Sequence, residues 1–257
     1  MKVLTAYYNE NDKGAAAWLR ELIKGGHIAP GDVDERSIKD VQPDELRHYA
    51  QSHFFAGIGG WSLALRLAGW PDDRPVWTGS CPCQDFSNAG SKAGIGGDRD
   101  LWPEMFRLVQ ECRPDRIYGE QVDDSPEWYD RAANDLEAFD YTCGAVVVPA
   151  YAVGADHERQ RLFFVADSGG VGQSQQRKHW THTGDPTPNG FREADRLVDA
   201  FRRKALPFLC RGHDGLSNRV GEMCIKGFGN AIVPDVAAEF IRAAGDAMKE
   251  LLTQEQP

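Results

Sequence analysis

The sequence predicts an α/β protein built on a doubly wound, mostly parallel sheet with a small insert, and three observations point there. Over the first 160 residues, short apolar runs rich in Val, Phe and Tyr alternate with stretches of helical periodicity. One of those runs passes through a glycine turn straight into a helix-like segment. From residue 168 the alternation stops in SGGVGQSQQRKHWTHTGDPTPNG, a polar stretch without strong periodicity.

Taken in order, strands are expected at VLTAYY (3–8), SHFFAG (52–57), PVWTG (75–79), RIYGE (116–120), CGAVVVPA (143–150) and RLFFVA (161–166). Helices are expected at GAAAWLRELIKG (14–25), GWSLALRLAG (60–69), LWPEMFRLVQEC (101–112) and SPEWYDRAANDLEAF (125–139). A last helix starts near Pro234, because proline suits a first helical turn and apolar positions then recur at helical spacing. The chain divides on this reading into a sheet unit (1–167), an insert (168–222) and a C-terminal segment (223–257) whose helix returns to the sheet.

At 257 residues the chain is long enough for a large core, and 41% hydrophobic with 26% charged residues is the balance of a folded globular protein. No apolar run approaches the length of a membrane span, so a cytoplasmic protein with reduced thiols is expected. The net charge of −10 argues against a polyanionic partner until it is divided along the chain. Residues 1–156 carry a net −11 and residues 157–230 a net +4, so any nucleic acid should lie across the later segment.

Two stretches carry chemistry. In HFFAGIGGWSLALRLAG, glycines let backbone amides approach a ligand, although the same turn could serve strand–helix packing alone. The flanking aromatics and Trp61 suit a flat, adenosine-like ligand or the core. The carboxylate that should accompany such a ligand is found upstream, in a strand ending at Glu10 and Asp12. That placement requires the Glu10 strand to lie beside the glycine strand although it precedes it in the chain. The alternative is that both acids serve only the helix N-terminus that follows. The second stretch, GSCPCQDFSNAG (79–90), sets Cys81 and Cys83 at the end of a strand. Zinc would need two more convergent ligands, which no spacing supplies, and no metal is expected. A nucleophilic thiol at the carboxyl edge fits better. Glu120 and the pair Arg159 and Arg161 should reach the same edge, a set suited to attack on an electron-poor ring.

FAGIGG (55–60), PCQ (82–84), EQV (120–122), HERQR (157–161) and GNAIVP (229–234) together resemble the ordered motifs of the cytosine-C5 DNA methyltransferase family. The resemblance covers most of the chain outside the insert. It implies a Rossmann-like methyltransferase sheet, S-adenosylmethionine as cofactor, S-adenosylhomocysteine as product, and a cytosine flipped out of double-stranded DNA. Carried over, Cys83 is the nucleophile for cytosine C6, Glu120 meets N3, and Arg161 and Arg159 hold the ring oxygen and a nearby phosphate. Phe55, Ala56, Gly57, Ile58, Gly59, Gly60, Glu10 and Asn230 hold the cofactor, with Asp32 and Ser37 competing for the adenine. Gln84 and Ser87 in the cysteine loop are assigned to DNA.

The sequence also departs from the pattern. Gln121 replaces the asparagine after the glutamate, and His157 replaces a glutamine before the arginines. The cofactor acids precede the glycine loop, so family strands 2 and 3 come first, followed by 1 and 4. The insert, read as a target-recognition region, is short, which implies few base contacts. Arg177, Lys178, Arg202, Arg203 and Lys204 are its phosphate candidates, or an ordinary solvated basic face. A monomer is expected. An inactive DNA-binding relative and a tRNA cytosine-C5 methyltransferase stay open as alternatives.

Overall fold

The computed structural model describes residues 4–82, 100–122, 126–154, 159–169 and 231–254. Its strands are β1 (Leu4–Asn9), β2 (Gly31–Asp34), β3 (Tyr49–Phe54), β4 (Val76–Gly79), β5 (Arg116–Val122), β6 (Thr142–Val148) and β7 (Arg161–Asp167). Its α-helices are α1 (Lys13–Lys24), α2 (Pro43–Leu46), α3 (Gly60–Leu67), α4 (Trp102–Cys112), α5 (Pro126–Glu137) and α6 (Pro234–Gln254).

Among the described residues the strands form one sheet in the order β2-β1-β3-β4-β5-β7-β6. The four pairings from β2 to β5 are parallel, and β7 is antiparallel to both β5 and β6. Only β7 therefore runs against the rest. β1, carrying Asn9 and leading to Glu10, pairs with β3, which leads into the glycine turn. This is the rearranged order expected from the position of Glu10.

Residues alternate between the two faces. Tyr7, Phe54, Trp77, Ile117 and Phe164 pack under α4 and α5 with Trp102, Met105, Leu108 and Trp128. On the opposite face, Tyr118, Phe163 and Val165 pack against α3 and α6 through Trp61, Leu65, Val236 and Phe240. Ala6 and Tyr8 pack with Leu19 of α1. Fully burying each large apolar side chain contributes about 1.5–3 kcal/mol, so the two helical layers fix the sheet that carries the site.

Local chemistry sets the element ends. Asp12 caps α1 by accepting the N–H groups of Gly14 and Ala15 at 2.8 and 2.9 Å. Proline stands in the first turn of α4, where a missing N–H costs nothing. Two expectations are corrected. The strand expected at 52–57 ends at Phe54, because Phe55 turns to φ 53° and begins the loop. GDVD, which holds the adenine candidate Asp32 and was absent from the strands expected from the apolar runs, forms the edge strand β2. Except for Ser168 and Gly169, the insert lies outside the described residues.

Candidate active site

The glycine turn is tied to the end of β1 by two hydrogen bonds. Ala56 N–H donates to the Asn9 carbonyl at 3.0 Å, and Gly57 N–H donates to Glu10 Oε2 at 2.7 Å. Glu10 Oε1 accepts the Asp12 N–H at 2.8 Å. Glu10 thus braces the turn while Asp12 caps the helix. Gly59, at φ 83°, is the N-cap of α3 in a left-handed conformation that a side chain would strain. A Cβ on Gly60 would stand 2.7 Å from Ile232, so α3 approaches the segment before α6 at glycine distance.

Beside this turn lies a pocket of about 430 Å³ lined by Asn9, Glu10, Asn11, Arg36, Ser37, Ile38, Lys39, Phe55, Pro82 and Leu101. Ser37, Glu10 and Phe55 were expected at the cofactor, and all three meet here. Asp32 does not line the pocket; its carboxylate accepts the Tyr49 hydroxyl at 2.8 Å, at the start of β3. Trp61 does not line it either, being buried in the core against Tyr118. Asn9, Arg36 and Lys39 also line the pocket and were not among the expected residues; Arg36 and Lys39 reach it because tertiary folding brings the segment after β2 over the end of β1. Arg36 is held by Asp34 at 2.7 Å and Glu45 at 2.9 Å.

The second half of the site lies along β4, β5 and β7. The reversed direction of β7 places its first residue opposite the last of β5, pairing Arg161 with Val122. Arg161 Nε then lies 3.0 Å from Glu120 Oε1. Glu120 is 6% exposed. Burial raises its carboxyl above the ordinary value, while Arg161, Arg159 and the Ser80 hydroxyl oppose the shift without reversing it. A carboxyl that holds its proton more tightly than an exposed one is suited to give it to a ring nitrogen.

Gln121 points to the other face. Its Nε2 donates to the Cys81 carbonyl at 3.3 Å, and its Oε1 accepts the Val122 N–H at 2.9 Å. The longer side chain therefore still reaches the backbone leading to Cys83. Cys81 is buried, its sulfur 4.0 Å from that of Met105. Arg159 donates to the Ala231 carbonyl at 2.7 Å, joining the arginine turn to the segment before α6. Burial, with Arg161 beside it, lowers its pKa, and Glu120 opposes this. Cys83, Gln84, Ser87, His157, Asn230 and the basic residues 177, 178 and 202–204 lie outside the described residues.

A glycine turn braced by a carboxylate thus shares one sheet edge with a buried glutamate paired to arginine. A family model described as C-5 cytosine-specific DNA methylase matches residues 70–205, more than half of the chain. The chain belongs to this family.

The chain is 28% identical over 167 residues to the Type II methyltransferase M1.ScrFI of Lactococcus lactis subsp. cremoris, covering 61% of this chain and 43% of that protein. With the Type II methyltransferase M.SsoII of Shigella sonnei it shares 29% over 194 residues, 72% of this chain and 50% of that protein. The chain spans about half the length of these curated relatives. In fold it is similar to the Entamoeba histolytica methyltransferase EhMeth, with a TM-score of 0.52 at 12% identity, covering 96% of this chain and 99% of that one. It is likewise similar to a Spodoptera frugiperda DNMT2 mutant, with a TM-score of 0.50 at 10% identity over 93% and 99% of the chains.

Membership in this family implies S-adenosylmethionine as the cofactor. The residues fit that cofactor: the pocket offers the Glu10 carboxylate, the polar Asn9, Asn11 and Ser37, and the apolar Ile38 and Phe55, beside a turn whose glycines bring backbone close. No helix among the described residues is long and apolar enough to cross a membrane.

Proposed function

We propose that this protein methylates C5 of cytosine in double-stranded DNA, through a transient bond between Cys83 and C6 of a flipped base. The observation that supports it best is the buried Glu120–Arg161 pair at the edge reached by Ser80 and Pro82, immediately before Cys83.

Unflipped, the ring is closed to a thiol, so the base must leave the stack. The Cys83 thiolate adds to C6; the S–C6 bond forms and the ring π electrons move toward N3, where Glu120 delivers its proton. C5 is then an enamine carbon and a competent nucleophile. S-adenosylmethionine, when bound in the pocket beside Glu10, supplies an electrophilic methyl. Once the methyl is on C5 and S-adenosylhomocysteine has left, loss of the C5 proton to a base re-forms the C5–C6 double bond, the S–C6 electrons return to sulfur as thiolate, and N3 gives its proton back to Glu120. Arg161 steadies Glu120 and the ring oxygen, Arg159 ties the turn to the chain before α6, and Gln121 holds the backbone at Cys81. Ser37 faces the adenosine part of the pocket, and the basic residues of the insert meet phosphates.

A second reading is transfer to cytosine in tRNA. Glu120 and Arg161 meet the ring alone, and would meet it equally on a ribose. The test incubates the purified chain and labelled S-adenosylmethionine with mixed-sequence duplex DNA and, separately, with unmodified tRNA. Label in DNA as 5-methylcytosine, lost in Cys83→Ser and reduced about 100-fold or more in Glu120→Gln, is expected. Label in tRNA alone selects the second reading, and full transfer by Cys83→Ser refutes the mechanism.

A further inference from the structure

Trp61 was expected either at the cofactor or in the core, and its buried polar atom does something else. Its indole Nε1 donates to Ser80 Oγ at 3.0 Å. Ser80 follows β4 directly, and on the neighbouring strand β5 Gly119 pairs with Gly79, so the next residues, Ser80 and Glu120, come side by side. The Ser80 hydroxyl thus stands beside the Glu120 carboxyl and helps to hold its pKa down against burial, and Glu120 Oε1 meets Arg161 Nε at 3.0 Å. A serine hydroxyl has one proton to give. With the indole N–H occupying one of its lone pairs, that proton is left to point at the carboxyl.

We infer that Ser80, oriented by Trp61, is a positioning residue for Glu120, fixing the carboxyl from the side opposite Arg161 so that its remaining edge faces the cytosine ring. The inference rests on the role given to Glu120 above. Trp61 is the second residue of α3, immediately after the glycine turn, so the same line joins the cofactor loop to the carboxyl. Displacement of α3 is transmitted to Ser80 through the Trp61 hydrogen bond, and from Ser80 to the carboxyl beside it.

The test is the pH dependence of methyl transfer by the full chain, with S-adenosylmethionine and duplex DNA and with tRNA, for the native protein, Glu120→Gln, Ser80→Ala, Ser80→Thr and Trp61→Phe. A hydroxyl donating to a carboxylate stabilises its charged form, so removing it raises the Glu120 pKa further. In Ser80→Ala the limb of the kcat profile that Glu120→Gln abolishes should move up by about one pH unit. Its kcat should fall about ten-fold with KM for both substrates unchanged, the effect of one hydrogen bond to a charged group. Ser80→Thr, which keeps the hydroxyl, should restore the native profile, and Trp61→Phe should shift it partway. A native profile in Ser80→Ala, or a loss that Ser80→Thr fails to restore, overturns the inference while leaving Glu120 in its role. A native chain indifferent to Glu120→Gln, or without transfer to either polymer, overturns both.

Discussion

Glu120 and Arg161 meet at 3.0 Å across two strands that run in opposite directions. A parallel β7 would have sent Arg161 to the far end of the sheet. The reversal makes a residue that opens one strand the neighbour of one that closes another, and so builds a charged pair at the edge where ligands of doubly wound sheets bind.

Removing the arginine should strand the buried carboxyl. Arg161→Ala is expected to lose about 3 kcal/mol in urea unfolding at pH 8, the cost of breaking a largely buried pair. The sign with pH follows from the raised Glu120 pKa. The folded state holds the proton more tightly than the unfolded one, so stability is greatest below the unfolded carboxyl pKa and declines as pH rises through the folded value. Without Arg161 the decline should be larger and extend to higher pH.

His53 should contribute to acid sensitivity. It is buried and stacked on Tyr8, with Nδ1 2.8 Å from Thr78 Oγ1 and Nε2 3.2 Å from Gln51 Oε1, and burial lowers its pKa from 6.5 to about 3. Below pH 6.5 the unfolded chain takes up a proton that the folded chain refuses, so stability falls by about 1.4 kcal/mol per pH unit down to the folded value. His53→Gln should flatten the stability profile between pH 6.5 and 3 by up to one proton, as read from unfolding midpoints.

Glu10 braces Gly57 through a charge-assisted hydrogen bond of 2.7 Å. Glu10→Ala should weaken S-adenosylmethionine binding about ten-fold or more in calorimetry while leaving DNA affinity within about two-fold. Unchanged cofactor affinity would show that the carboxylate serves the loop alone.

Asp32 and Ser37 separate by the same measurement. Ser37 lines the pocket, and Asp32 is engaged by Tyr49 away from it. Ser37→Ala is expected to weaken cofactor binding, and Asp32→Ala to leave it unchanged.

Much of this was legible in the sequence because the residues that carry chemistry sit at strand ends, and strand ends are marked by where apolar runs stop. The apolar run ending at Tyr8, followed by an acid, was enough to put Glu10 beside the glycine turn, since no strand after the turn offered one. β2 was legible only through the resemblance, not from its apolar pattern: GDVD has one apolar side chain and sits at the sheet edge, where little is buried. The direction of β7 was hidden too, because RLFFVAD reads as a buried strand whichever way it runs. The pocket residues Arg36 and Lys39, and the line from Trp61 through Ser80 to Glu120, join segments far apart in the chain. Periodicity carries no signal for such contacts.

The most direct measurement is to incubate the purified chain with S-adenosylmethionine and a duplex carrying 5-fluorocytosine in many contexts, then weigh the products and map the modified peptide. Fluorine at C5 blocks the elimination that would free the thiol. A covalent protein–DNA adduct through Cys83, abolished in Cys83→Ser, is the expected result. Binding of both ligands with no adduct, or an adduct through another cysteine, would contradict the account.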